Sequence, residues 1–241
     1  MTNFVTQPNA DVLVKLTGRI TSYKCKRERA SFLFAETDRT KMGVVAIAAS
    51  LAGAGGQAMA TAANATALEE EADFIEFLLD DKAVKGWVWR SPFKEGDEVE
   101  VAAERRGENY EAFGVARLSD RTVALYPHCS RGRLPHFVNA TKWWLIISSS
   151  GTLFVSLMMR ASTQELLADG ILQWGAFAFY SFFGAMIFSL SRRWLPFVRV
   201  AENIFRTFGW PNSSGIDLKK RTKARRAKDD SVEYGRFYFY Y

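Results

Sequence analysis

Four side chains with metal-binding chemistry stand out first: Cys25, His128, Cys129 and His136. By type they make a four-ligand zinc set, but adjacent His and Cys rarely reach one ion. Neither a CxxC pair nor a zinc-finger spacing is present. The stretch Pro127–Phe137, PHCSRGRLPHF, reads instead as a turn beside a membrane whose bases meet phosphates. A second candidate is Gly53-x-Gly55-x-x-Ala58, which follows an apolar run. In dinucleotide-binding turns such glycines let a pyrophosphate approach a helix N-terminus. Here the match sits in Ala/Gly-rich sequence that generates it by composition, and no alternating strand–helix series follows. There is no nucleophile elbow, phosphate loop, HExxH or paired-carboxylate metal motif. The sequence therefore assigns no catalytic residue, metal or cofactor, and the expectation is a protein that is not an enzyme.

The chemistry the sequence does offer is electrostatic. The 241 residues carry a net charge of +6, unevenly spread. Residues 1–142 hold equal numbers of acids and bases, whereas residues 192–241 carry +7. Much of that excess lies in Lys219–Lys228, KKRTKARRAK. A basic segment beside a bilayer is drawn to anionic lipid headgroups. The candidate membrane contacts are Lys142, Trp143, Trp144, Arg192, Arg193, Trp194, Lys219, Lys220, Arg221, Lys223, Arg225 and Arg226. Nucleic acid is not an expected partner, because residues 1–142 are neutral overall and lack a basic, aromatic-interleaved patch.

Two apolar runs would position these groups. Trp143–Met159, WWLIISSSGTLFVSLMM, is bounded by Lys142 and Arg160. At 1.5 Å per residue it spans about 25 Å, the lower limit for a hydrocarbon core. Its Ser148-Ser149-Ser150-Gly151 centre lowers its apolar character. Ile171–Ser191 is uncharged and reaches about 31 Å before Arg192 and Arg193. The flanks are basic, while the loop Arg160–Gly170 holds one base and two acids, Glu165 and Asp169. The positive-inside bias puts both termini in the cytoplasm and the loop outside. Small residues recur at Ser148, Thr152 and Ser156, and again at Ser181, Ala185 and Ser189. Such stripes let helices approach closely, facing each other or a second copy, so a homo-oligomer is an expected arrangement. Met1–Asp11 lacks an apolar core, which leaves the spans as the targeting signal. Cys25 and Cys129 then belong to the cytoplasmic part and are expected to be reduced.

The part before the spans is rich in short strands. Asp11–Tyr23 alternates in character and bends at Gly18, Lys24–Arg29 reads as a basic turn, and Ser31–Glu36 and Gly43–Ala49 read as strands. Gly43–Ala67 is uncharged, with a small residue every fourth position from Ala46 to Thr66. It reads as an insertion on the soluble domain, with membrane insertion as the alternative. Glu69–Asp81 is a strand or short helix. Ala83–Arg90, Glu98–Glu104, Tyr110–Leu118 and Thr122–Tyr126 are strands separated by turns. Strands at this spacing predict a small antiparallel, OB-like barrel. Its acids read as solvated surface. After the spans, Leu195–Phe208 has Phe197, Val198, Ala201, Ile204, Phe205 and Phe208 on one side, with Arg199, Glu202 and Arg206 elsewhere. This predicts an amphipathic helix at the inner interface, flanked by Trp194 and Trp210 and ended by Gly209-Trp210-Pro211-Asn212. The aromatic end, Tyr234–Tyr241, either pairs with another sheet or packs on the barrel.

The expected organisation is thus a mixed membrane protein. Residues 1–135 form the cytoplasmic OB-like domain with insertion 43–67, residues 136–193 a two-helix transmembrane hairpin (spans 143–159 and 171–191), and residues 194–241 an amphipathic, basic, aromatic-ended tail. Three phrases add a resemblance: VKGWVWRSPFKEGDEVEV (84–101), YEAFGVARLSDRTVALYPHCSRG (110–132) and ENIFRTFGWPN followed by IDLKKRTKARR and EYGRFYF (202–239). The chain resembles, over most of residues 11–241, a family of bacterial membrane proteins labelled type VI secretion system effectors. The resemblance implies an inner-membrane protein of interbacterial antagonism with a protein partner from a type VI cluster. It carries no known active site, and the same architecture suits an immunity protein.

Overall fold

The computed structural model describes residues 13–30, 32, 70–160 and 165–241. The chain divides into two compact units. One comprises the residues up to His128 together with Thr207–Gly209 and Leu218–Tyr241; the other comprises Cys129–Arg206 and Trp210–Asp217. The insertion 43–67, the expected strand Gly43–Ala49 and nearly all of Ser31–Glu36 lie outside the described residues.

The first unit is built on seven strands: β1 (Leu13–Ala30), β2 (Glu70–Leu79), β3 (Lys82–Val88), β4 (Glu98–Arg106), β5 (Asn109–Arg117), β6 (Thr122–Leu125) and β7 (Tyr238–Tyr240). The first five close into a barrel. β1 pairs with β2 and β4, β2 with β3, and β4 with β5, all antiparallel. The ring is completed by β3 against β5, which is parallel. Four of the five pairings are thus antiparallel, as the sequence predicts, and the seam is parallel because two chain reversals separate β3 from β5.

β1 serves two neighbours because it bends. Leu13–Arg19 pairs with β4, and Ile20–Ala30 with β2. The ladder is interrupted between Thr21 and Lys24, where Ser22 has φ 53°. Such a bulge turns a strand sharply without ending it. Lys24–Arg29 is therefore strand and not the expected turn. Its bases face acids across the ladder, with Arg27 opposite Asp73 and Arg29 opposite Glu71. Opposite charges on facing positions stabilise a pair that sequence alternation alone does not reveal.

Inward-facing Ile20, Ile75, Leu79, Val88, Val99 and Val115 fill the barrel. Each buried aliphatic side chain contributes about 1.5–3 kcal/mol. Gly86 lies on the closing seam opposite Ala112, and a Cβ there would collide with the Ala112 carbonyl. The seam closes because that position has no side chain. β6 extends the sheet beyond β5, and β7 pairs with β6. The aromatic end thus packs on its own barrel, with Tyr238 in the core.

The second unit carries two long helices, α1 (Arg133–Arg160) and α2 (Glu165–Thr207). Trp144 donates its indole N–H to the Tyr180 carbonyl at 3.1 Å, and the Ser149 and Tyr180 hydroxyls lie 2.8 Å apart. Gly184 lies beneath the Trp144 ring. α2 passes through Pro196 without ending. The expected separate helix Leu195–Phe208 is therefore the C-terminal part of α2. Its Phe197, Val198, Ala201, Ile204 and Phe205 are buried in the protein and not laid on a membrane surface. Glu202, expected to point outward, is buried as well. A short helix α3 (Leu218–Arg225) belongs to the first unit.

Candidate membrane-contact surface and basic cleft

The lipid contacts expected from sequence fall into three groups. On α1, Lys142 and Trp143 are exposed, while Trp144 is half-buried and hydrogen-bonded to α2. On α2, Arg192 and Arg193 are exposed, and the Arg192 guanidinium lies 5.6 Å from the centre of the Phe188 ring. Trp194 is half-buried, its ring 5.8 Å from Phe197. Around these residues the helices leave large apolar side chains open. Val138, Leu153, Phe154, Trp174, Phe177 and Phe182 are all more than 60% exposed. Water tolerates single exposed apolar residues, but not surfaces of this extent without a covering phase or partner. Among the described residues one helical stretch, Trp174–Thr207 of α2, is long and apolar enough to cross a membrane. α1 falls short, as its serine-rich centre leads one to expect.

The two small-residue stripes have different fates. Ser148 is fully buried, Thr152 and Ser156 are half-buried, and Gly151 faces the Phe179 ring. Ser181, Ala185 and Ser189 are exposed. The stripes therefore do not face each other.

The third group lies on α3. Lys219, Lys220, Arg221, Lys223 and Arg225 are exposed, as is Arg226 just beyond. Positions 219, 223 and 226 recur every three to four residues and so share one side of the helix. That side faces a cleft of about 650 Å³, lined by Lys219, Lys223, Arg226, Lys228 and Arg236 with Val232, Tyr234 and Gly235. Lys220, Arg221 and Arg225 do not line it. Arg225 instead packs over the Tyr240 ring at 5.0 Å and reaches the Tyr241 carbonyl at 3.4 Å. Arg236 is not among the contacts expected from sequence, and Lys228 is expected only as the end of the basic run Lys219–Lys228. Lys228 continues the basic run, so length of run was a usable signal. Arg236 is isolated in sequence and carries no such signal.

The cleft's walls are fixed to the barrel. The Thr222 hydroxyl donates to the Leu218 carbonyl at 2.7 Å and accepts the Tyr240 amide at 2.9 Å. The Tyr234 and Thr122 hydroxyls are 3.0 Å apart. Gly235 has φ 81°, where a side chain is strained, and its amide donates to the Tyr238 carbonyl at 2.8 Å.

A second polar cluster sits at the barrel end. Asp73, only 3% exposed, accepts Arg27 Nε at 2.9 Å, Arg90 Nη1 at 3.4 Å and the Ser91 amide at 3.0 Å. Arg90 also lies 5.2 Å from the Phe237 ring. Asp73 is thus no part of the solvated acidic surface expected from sequence. Its oxygens are engaged by cations and an amide, which is a structural role. Partial desolvation raises the Cys25 thiol pKa even though the residue is exposed overall, and the Asp73 carboxylate raises it further. Burial also raises that of Cys129. Neither thiol is therefore poised as a thiolate nucleophile.

The zinc-like residues take other partners. His128 Nε2 lies 2.8 Å from Glu70 Oε2, and His136 Nε2 lies 2.8 Å from Ser191 Oγ. Cys25 is exposed and Cys129 buried. Among the described residues no group of His, Cys, Asp and Glu could hold a metal ion. The glycine pattern at residues 53–58 lies outside the described residues. No family model matches the chain, and no curated protein or solved structure matches it either.

Proposed function

We propose that this chain is an integral membrane protein whose two-helix hairpin, spanning residues 143–159 and 171–191, anchors an OB-like barrel that acts as a binding module at one face of the bilayer. The OB-like reading rests on the strand circuit β1-β2-β3-β5-β4 with its bent first strand. The observation that carries the topology is the pairing of β6 with β7. These strands flank the whole helical segment in sequence, yet they belong to one sheet. A folded barrel lies on one side of a bilayer, so the chain between them crosses an even number of times. α2 has the length and character of a span. Its return partner is then α1, whose exposed Leu153, Phe154 and Leu157 suit lipid. Arg192 and Arg193 close the second span on the side that retains positive charge.

Tag accessibility tests this. A tag inserted near Thr163 is labelled from outside intact cells, while tags at either terminus are labelled only after permeabilisation. Any other pattern removes the hairpin and the reading built on it.

A second reading concerns the biological setting. The exposed stripe Ser181, Ala185 and Ser189 suits close packing against another copy, and self-association would fit a type VI effector that perturbs the membrane. Expression in a susceptible cell with a membrane-potential dye tests it: depolarisation and a growth defect support it, and the absence of both removes it. An immunity or accessory role would instead show as co-purification with, and protection against, the product of a neighbouring gene.

A further inference from the structure

We propose that the cleft between α3 and the tail turn is a discrete phosphate-binding site, formed by Lys219, Lys223, Arg226, Lys228 and Arg236. This goes beyond a general attraction of the basic run to anionic lipid. It rests on the membrane reading only for one of the two sources of phosphate.

Three observations carry it. First, five cations converge on one concave space, and no acidic side chain lines it. Like charges gathered this way repel one another, and a bound anion relieves the repulsion. Asp230 accepts the Ala227 amide at 2.8 Å and Glu233 accepts the Tyr238 hydroxyl at 3.1 Å, and neither of these acids nor Asp229, next to Lys228, lines the cleft. Second, the cations come from three separate pieces of chain held together by structure. Lys219 and Lys223 share one side of α3, Arg226 continues that side one residue past its end, Lys228 follows in the turn, and Arg236 arrives from the tail. Thr222 and Tyr240 lock helix to tail, so the backbone that carries the two arginines is positioned before any ligand arrives. A preorganised set of lysines and arginines is the chemistry that recognises phosphate, arginine by its fork and lysine as a point charge. Third, Val232 stands beside the cations and is 71% exposed. An apolar residue next to a cationic cleft suits a phosphate carried on an amphiphile.

The ligand chemistry is a phosphate group bearing more than one negative charge, either a phospholipid headgroup or a soluble phosphate. The full chain, purified in detergent, is titrated with inorganic pyrophosphate by calorimetry. Reconstituted into nanodiscs of phosphatidylcholine with or without cardiolipin, it is probed for lipid retention by native mass spectrometry. The double variant Lys223→Ala/Arg236→Ala weakens binding of the preferred anion by about tenfold or more, as expected for loss of two charge-assisted hydrogen bonds. Lys82→Ala/Lys94→Ala removes the same charge from the barrel surface and leaves binding unchanged. Lys220→Ala/Arg221→Ala removes it from the rest of α3 and has a smaller effect than the cleft variant. Saturable, cleft-dependent binding of pyrophosphate identifies a soluble ligand; cleft-dependent retention of cardiolipin alone identifies a lipid. Equal losses in the two α3 variants, or no saturable binding of either anion, overturn the proposal. If the tags disprove the hairpin, the pyrophosphate titration still decides the cleft.

Discussion

Arg133 holds Glu202 twice. Its backbone amide donates to Glu202 Oε1 at 2.9 Å, and its guanidinium donates to Oε2 at 2.9 Å. Arg206 stands 3.9 Å from the same Oε2. The first residue of α1 is thereby fastened to the last turns of α2 through a carboxylate that is 2% exposed. Glu202→Gln keeps the shape and removes the charge. The expected loss is about 1–3 kcal/mol, the range for a hydrogen bond to a charged group, at the lower end because Arg133 itself reaches solvent. Thermal melting of the detergent-solubilised protein measures it. An unchanged midpoint would mean that the pair contributes nothing net.

Gly86 is the second test. Alanine there drives its Cβ into the Ala112 carbonyl at the parallel seam. Relief requires β3 and β5 to separate, which opens the barrel. The expected loss is about 2 kcal/mol or more, in the range set by steric overpacking. Urea denaturation followed by far-UV circular dichroism reads it. Alanine in place of Gly107, a turn position with no atom within 4 Å of its side-chain site, meets no clash, and its cost is confined to the strain of a side chain at φ 66°, about 1 kcal/mol.

The two thiols differ in access and share a raised pKa. A maleimide modifies exposed Cys25 in the folded protein and reaches Cys129 only after denaturation. Burial raises the Cys25 pKa first and the Asp73 carboxylate adds to it, so labelling at neutral pH is slow. Asp73→Asn removes a negative charge that disfavours the thiolate. The Cys25 pKa then falls and labelling at pH near 8 accelerates, checked by peptide mass spectrometry. A slower rate in the variant would contradict the electrostatic account.

Asp120 links stability to pH. Burial would raise its pKa, but hydrogen bonds from Arg117 and Thr122 win and hold it below the usual carboxylate range. The sign follows directly. Its contribution is present above the unfolded carboxylate pKa, near 4, and disappears as pH falls through the lower folded value. Asp120→Asn is therefore less stable than the parent at pH 7. The difference shrinks in acid below about pH 4, as the parent loses the same contribution. A difference that stays constant across the acid limb would show that the carboxylate's charge is not what matters.

The barrel strands with clean alternation were legible in the sequence. Val99 and Val101 against Glu98 and Glu100 mark β4, and turn residues bracket β5 and β6. Lys24–Arg29 was not, because a strand with charge on successive residues looks like a turn until its acidic partner strand is known. Asp73 and Glu202 failed for a related reason. An acid reads as surface unless its cation is visible, and the hydrogen-bonded cations lie 17 and 46 residues from Asp73 and 69 from Glu202, while the nearby Arg206 stands 3.9 Å from Glu202. At the basic cleft, the helical spacing of Lys219, Lys223 and Arg226 was readable. Which side of α3 matters was not, because Arg236 joins that side through the tail's pairing on β6.

That pairing also orders biosynthesis. Ribosomes deliver β1–β6 first, then both long helices, and only afterwards β7. Tyr238, a core residue of the barrel, is among the last to emerge. A nascent chain thus commits its helices to their environment while the barrel still lacks its terminal strand, α3 and the aromatic core contact. Arrest of translation within α2 would leave a barrel open at β6, whose unpaired edge is a binding site for chaperones or for strands of other chains. Completion of the barrel unit thus reports that both intervening helices have been made and that the chain has returned to β6.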